Sequence, residues 1–245
     1  MNAATADTAL FLLIGSMRSF ALAVGQLGAG VFNSQFPFRR ASDPEGRVLG
    51  IVGAGGIGQE LARKAAHALG MRVVYHNRRR LSPELEAHGM PPGRALEYVP
   101  TLDGLLEMSD AVSLNCPLTP ATRHLIGAPQ LARMKSSAVL INTARGPVVD
   151  EDALVAALKA DVIAGAGLDV YENEVRSLPA NQPTVHPGLL ELRGTKALLL
   201  PHVGTLSLQT QTDMEAACIC NLEHGLATGQ LAYTVREQAG LGLRA

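Results

Sequence analysis

Arg47-Val48-Leu49-Gly50-Ile51-Val52-Gly53-Ala54-Gly55-Gly56-Ile57-Gly58 decides how the rest of this chain is read. The first six residues are an apolar run of strand length. A glycine-x-glycine-x-x-glycine spacing follows at once, and Gln59-Glu60-Leu61-Ala62 after it has the composition of a helix. That order, strand then glycine turn then helix, is the context a dinucleotide-binding fingerprint requires. Gly53 permits the tight turn, Gly55 keeps a side chain away from a pyrophosphate, and Gly58 lets helix and sheet pack closely. Free amides at the helix start, through Gly56 and Ile57, face the anion.

Working outward, strand and helix patterns alternate. Strands are predicted over 47–52, 71–76, 97–99, 111–115, 138–142, 163–169 and 196–200. Helices are predicted over 58–69, 82–88, 102–108, 128–134 and 151–160, with Gly70 closing the first of them. A longer helix is expected from Thr5 to about Gly28, capped by Thr5 or Asp7, and a last amphipathic one over 210–228 that seats Cys218 and Cys220 against a core. This alternation predicts an α/β fold, a doubly wound parallel sheet of Rossmann type with flanking linking helices. The expected organisation is a linking or dimerisation helix over 1–31, a dinucleotide-binding domain over 32–206, and a crossing helix and tail over 207–245.

Composition agrees. In 245 residues, 47% are hydrophobic and only 18% charged, with five Phe and no Trp, so the core is aliphatic, as a helix-covered parallel sheet requires. A net charge of −1 argues against a nucleic-acid partner. Three cysteines, Cys116, Cys218 and Cys220, form neither a disulfide framework nor a zinc pattern. The apolar stretch 8–31 is interrupted by Arg18, Ser16, Ser19 and Gln26, short of the ~18 uninterrupted residues a membrane span needs. No membrane partner is expected, a buried or interface helix is, and a cytoplasmic location follows as the default.

The second strand ends in Asn77-Arg78-Arg79-Arg80. An acid there would bond the adenosine ribose of NAD and repel a 2′-phosphate. Asn77 does not repel one, and Arg78 or Arg79 can pair with it through a charge-assisted fork. NADP is therefore favoured, with NAD the alternative. The competing reading is a basic turn in solvent with Asn77 as its cap, and Arg80 fits that reading best.

Four later segments carry the chemistry: Ser109 through Thr122, with Cys116-Pro117 at its centre; Met134 through Leu154, with Asn142-Thr143-Ala144-Arg145-Gly146; Ala166-Gly167-Leu168-Asp169-Val170-Tyr171-Glu172-Asn173-Glu174; and Leu200-Pro201-His202-Val203-Gly204. In order and spacing they resemble the D-isomer-specific 2-hydroxyacid dehydrogenases, closest to the glyoxylate/hydroxypyruvate reductase branch. The resemblance implies an NAD(P)-dependent oxidoreductase that reduces a small 2-keto acid to the 2-hydroxy acid, working as a homodimer through the first helix. It further implies that His202 is the proton donor, Glu174 its orienting partner and Arg145 the carboxylate-binding residue. Cys116, Pro117, Thr122, Thr143, Ala144, Asp169 and Gly204 would line the cofactor, with Asp169 near the nicotinamide.

The residues support those roles independently. A carbonyl that gains hydride needs a positioned acid, and histidine ordinarily titrates near neutrality. Arg145 follows a strand, where its fork suits a carboxylate. Two departures qualify the match. The family places Pro after this glutamate, whereas Val175 and a short insertion over 176–182 stand here, which leaves Glu172 as a fallback. The family also has a substrate domain ahead of the Asn2–Asp7 segment, most of it expected to be absent here, so cofactor binding without strong turnover is one expectation, and a non-enzymatic nucleotide-binding protein another.

Overall fold

The computed structural model describes residues 2–32, 41–174 and 185–233. Chain contacts divide it into two units, Asn2–Gly204 and Thr205 onward. The larger unit is built on seven parallel strands: β1 (Val48–Val52), β2 (Arg72–His76), β3 (Glu97–Tyr98), β4 (Ala111–Leu114), β5 (Val139–Asn142), β6 (Gly165–Leu168) and β7 (Ala197–Leu199). Their order is β3-β2-β1-β4-β5-β6-β7. The chain runs outward from β1 to one edge, returns, and runs to the other edge. The switch between β1 and β4 opens the crevice in which such sheets bind ligands.

Side-chain alternation sorts the strands onto two faces. Leu49, Ile51, Val73, Tyr75, Val139 and Ile141 face one layer, with Leu61, Ala62 and Ala65 of α3 (Gly56–Leu69) and Ala6, Ala9, Leu12 and Leu13 of α1 (Asn2–Met17). Val74, Val112, Leu114, Leu140 and Leu168 face the other. Helices α5 (Leu102–Met108), α6 (Ala128–Leu131) and α7 (Glu151–Lys159) cover that side through Leu105, Leu106, Leu131, Leu154 and Leu158. Burial on both sides explains why the strands read as continuous apolar runs.

The first helix differs from its prediction. It breaks after Met17, where Ser19 takes a left-handed backbone at φ 53°, and α2 (Phe20–Gly28) leaves at 79° to α1. The physical cause is packing. α1 buries its apolar face in the larger unit, close enough that a Cβ on Gly167 would lie 2.9 Å from Leu12 Cβ, whereas α2 buries no residue at all. Among the described residues no single helix is long and apolar enough to cross a membrane.

Other elements fall within a few residues of expectation. Gly70 closes α3 at φ 64°, Ser82 caps α4 (Pro83–Ala87), and Asp150 caps α7 by accepting the Ala153 N–H at 3.0 Å. A short 3-10 turn over Gly146–Val148 and helix α8 (Pro187–Glu191) were not foreseen. The expected insertion over 176–182 lies outside the described residues, as do residues 33–40.

In the smaller unit, α9 (Leu208–Thr228) is capped by Ser207, whose hydroxyl accepts the Thr210 N–H at 3.2 Å, and closed by Gly229 at φ 72°. The expected core seat for Cys218 and Cys220 is corrected: both are exposed, as are Ile219, Leu222 and Leu226. Only Thr210 and Gly225 are buried on this helix.

Candidate active site

The glycine turn forms as the spacing requires. Gly53 sits at φ 95°, open to glycine and strained for other residues. It packs so tightly under the end of β4 that a Cβ would lie 2.7 Å from Cys116 N. A Cβ on Gly58 would lie 2.5 Å from Gly53 O, so this glycine lets α3 meet the turn. Gly55 has nothing within 4 Å of its Cβ position, leaving space in front of the helix amides. Ile57 joins the apolar layer beneath, and Gly56 is approached by the Asn2 side chain of α1. Asn77 ties the second strand to this turn: its Oδ1 accepts the Ala54 N–H at 2.8 Å. Arg78 and Arg79 are exposed, and neither pairs with an acid among the described residues.

At the ends of β4 and β5, which run side by side through Leu114 and Asn142, two buried polar atoms have no partner among the described residues: Asn115 Oδ1 and Thr143 Oγ1. Buried polar groups are nearly always satisfied, so an orphaned pair at the carboxyl edge marks a place for a ligand's polar group. Thr143 was foreseen. Asn115 was missed, because nothing in the sequence distinguishes an Asn that ends a strand from one that opens a turn. Cys116 is half-buried with its thiol pushed up by burial, which suits a packing role over a nucleophilic one. Thr122 spends its hydroxyl locally, donating to Pro117 O at 2.7 Å and accepting the Thr119 N–H at 2.8 Å, so it shapes the Cys116-Pro117 turn.

Arg145 leaves β5 through a loop fixed by Asn142, which donates from Nδ2 to Arg145 O at 3.0 Å and accepts the Ala144 N–H at 3.0 Å. Its guanidinium donates to Ala144 O and pairs with no acid among the described residues. Gly146 presses on the segment that carries Glu174: a Cβ there would lie 1.8 Å from Tyr171 C. That segment has further anchors. Glu172 N–H donates to Oε1 of buried Glu151 at 2.8 Å, and Tyr171 OH donates to Leu200 O at 2.7 Å. Burial pushes the Glu151 carboxyl above its usual range. Nothing in the sequence sets Glu151 apart from other acids at a helix start, and its structural bond is visible only in the fold.

His202 stands two residues beyond Leu200, in the left-handed region at φ 57°. A non-glycine residue held there is strained and commonly functional. Glu174 Oε1 engages His202 Nδ1, and the two side chains are 22% and 27% exposed, partly withdrawn from water. The insertion after Glu174 therefore does not prevent the expected pairing. Glu172 is occupied elsewhere, by Arg123 at 2.9 Å and His124 at 2.6 Å. Asp169, expected near the nicotinamide, also has a structural task that the sequence did not show. Its two oxygens accept the Val203 and Gly204 N–H groups, each at 2.8 Å, so it anchors the loop bearing His202. Burial raises its carboxyl, with those two bonds acting against the rise. A cavity of about 250 Å³ lies beside the pair, lined by Tyr171, Glu174, Leu200 and His202 among others.

The residues fit a nicotinamide dinucleotide. Open space at Gly55, amides at the start of α3, and the orphaned Asn115 and Thr143 oxygens lie along the carboxyl edge of the sheet. No cluster of metal-binding side chains occurs among the described residues.

Comparison with known proteins agrees with this geometry. The chain is 45% identical over 238 residues to 4-methyl-2-oxopentanoate reductase A of Aspergillus oryzae, and 38% identical over 237 residues to glyoxylate reductase 1 of Saccharomyces cerevisiae. These matches cover 97% and 96% of this chain but 66% and 63% of those proteins, so the chain spans about two thirds of their length. A crystal structure of a glyoxylate reductase from Paecilomyes thermophila superposes with a TM-score of 0.84 at 44% identity, covering 97% of this chain and 66% of that one. The NADPH-dependent glyoxylate/hydroxypyruvate reductase of Sinorhizobium meliloti gives 0.78 at 34% identity, covering 96% and 68%. Residues 10–204 match the family described as D-isomer specific 2-hydroxyacid dehydrogenase, NAD binding domain, and the chain belongs to that family.

Proposed function

We propose that the protein reduces a small 2-keto acid of the glyoxylate or hydroxypyruvate type to the D-2-hydroxy acid, with NADPH preferred and NADH the alternative. The observation that carries this reading is the His202–Glu174 pair at the sheet's carboxyl edge, on loops keyed to the one that presents Arg145. The bound reduced nicotinamide supplies hydride to the carbonyl carbon. Arg145 holds the substrate carboxylate and polarises the neighbouring carbonyl. His202, bonded to Glu174 through Nδ1, gives the proton from Nε2 to the carbonyl oxygen, leaving an alcohol. Glu174 keeps the ring aligned for that transfer.

The NADPH preference follows from Asn77 in place of an acid and from Arg78 and Arg79 beside it. The Sinorhizobium reductase, an NADPH-dependent enzyme, shares this fold and supports the reading. The proposal includes a homodimer formed through the first helices, since Phe20, Val24 and Leu27 of α2 are exposed, and a cytoplasmic location.

The test is NADPH oxidation with glyoxylate and hydroxypyruvate, comparing wild type with His202→Asn and Arg145→Ala. Both variants should bind NADPH as wild type does. His202→Asn should lower kcat by ~100-fold or more, and Arg145→Ala should act mainly on KM. Equal turnover in His202→Asn would remove His202 as the proton donor, and NADPH binding with no turnover in wild type would replace the enzymatic reading with that of a nucleotide-binding protein.

A further inference from the structure

The loop after β2 is held from beneath by a buried acid. Glu86, on α4, is only 5% exposed, and a carboxylate so placed persists when paired and hydrogen-bonded. It accepts from Tyr75 OH at 2.6 Å and from Nε and Nη2 of Arg80 at 2.8 and 2.9 Å, a two-pronged fork. Tyr75 is fully buried, and its oxygen accepts the Leu81 N–H at 2.8 Å. The Arg80 guanidinium also lies 5.9 Å from the centre of the Tyr98 ring, whose hydroxyl donates to Asn77 O at 3.4 Å. The protonation pattern is consistent. The Arg80 fork holds Glu86 below the usual carboxylate range, and burial pushes the Tyr75 hydroxyl up to about 12, so the proton stays on Tyr75 and the charge on Glu86.

The loop 77–81 is thus pinned at both ends. Asn77 is fixed by Ala54 and Tyr98, and Arg80 and Leu81 are fixed by Glu86 and Tyr75. Between them Arg78 and Arg79 are exposed, with no acid paired to either among the described residues. Arg80 differs from them because its charge is already met.

We propose that the Tyr75–Glu86–Arg80 cluster is a positioning device: it fixes the 77–81 backbone so that Arg78 and Arg79 present their forks to a phosphate monoester on the adenosine ribose, while Arg80 is not a ligand of that phosphate. This rests on the NADPH reading above. A loop already ordered loses less freedom on binding the anion than a mobile one. Glu86 also withholds Arg80 from competing for the phosphate in a geometry the other two do not share.

The test uses calorimetric titration of the whole chain with 2′,5′-ADP and 5′-AMP, two probes that differ only in the 2′-phosphate, together with thermal midpoints. Arg78→Ala/Arg79→Ala should abolish the preference for 2′,5′-ADP; if it does not, the NADPH reading fails. Given that loss, Glu86→Gln and Tyr75→Phe should each cut the preference by about tenfold while 5′-AMP affinity stays within about twofold. Preference unchanged in both variants, or raised in Glu86→Gln because Arg80 has been freed to bind phosphate, would overturn the positioning role and leave the NADPH reading intact. Should Glu86→Gln fail to fold, Tyr75→Phe, which keeps the Arg80–Glu86 pair, decides alone.

Discussion

Replacing Gly55 and Gly58 separately by alanine should split binding from folding within one turn. At Gly58 the new methyl would stand 2.5 Å from Gly53 O and 3.0 Å from Ile51 Cγ2. The oxygen belongs to backbone pinned under β4, so relief needs a shift of about 0.9 Å in the helix or the turn to reach ordinary contact. Overpacking of this kind costs ~1–3 kcal/mol. Alanine returns up to ~1 kcal/mol as a better helix former. A net loss of about 1–2 kcal/mol remains, or a fall of ~2–4 °C in midpoint per kcal/mol for a domain of this size. Gly55 is the N-cap of α3 at φ −80°, a conformation alanine adopts, and no atom lies within 4 Å of its Cβ position. Loss of a preferred cap, ~1 kcal/mol, is offset by the stiffer unfolded chain, ~0.4–1 kcal/mol. Gly55→Ala should therefore melt with the wild type, yet bind NADPH at least ~10-fold more weakly, because its methyl fills the space through which a pyrophosphate approaches the amides. Differential scanning calorimetry and fluorescence titration read the two effects. Wild-type NADPH affinity in Gly55→Ala, or equal destabilisation by both substitutions, would refute the reasoning.

Gly146→Ala should lower kcat far more than a surface change of the same size: the methyl would displace the Tyr171–Glu172 backbone and with it Glu174, and ~1 Å of misplacement can cost ~100-fold. Tyr171→Phe should cost about 1–2 kcal/mol in urea unfolding by stranding Leu200 O, with NADPH affinity retained. The two buried glutamates should titrate in opposite senses. Glu86 lies below its unfolded value, so its stabilisation is complete above the ordinary carboxylate range and is lost as pH falls through its depressed pKa; Glu86→Gln should melt below wild type at neutral pH and converge with it in acid. Glu151 lies above its unfolded value, so wild type loses stability as pH rises through that raised pKa; Glu151→Gln, which still offers an oxygen to Glu172 N–H, should melt at or above wild type at neutral pH, the gap closing in acid.

Much of this was legible in the chain because local signals and tertiary demands coincide. The glycine spacing of 53–58 forces a turn that no other strand-to-helix junction here could make, and the apolar runs of β1, β4 and β5 had the length of strands covered on both faces. Pairing of His202 with Glu174 followed from resemblance; spacing alone says nothing of two residues separated by an insertion. What stayed hidden was tertiary. The break at Ser19 depends on which face of α1 finds a partner, and hydropathy, apolar on both sides of the break, carries no trace of it. Glu151 and Glu86 carry no motif and Asp169 was expected only to line the cofactor, yet each is held by backbone or side-chain donors that the fold brings to it. Cys218 and Cys220 looked like core residues by type, whereas the exposed face of α9 is apolar for several turns.

The most direct test is a paired titration of the protein with NADPH and NADH, carried out on wild type and on His202→Asn. A nicotinamide site built from the 53–58 turn, Asn77 and the two arginines predicts saturable binding of both, tighter for NADPH by about tenfold or more, and unaltered by the histidine change. No saturable binding of either dinucleotide would contradict it.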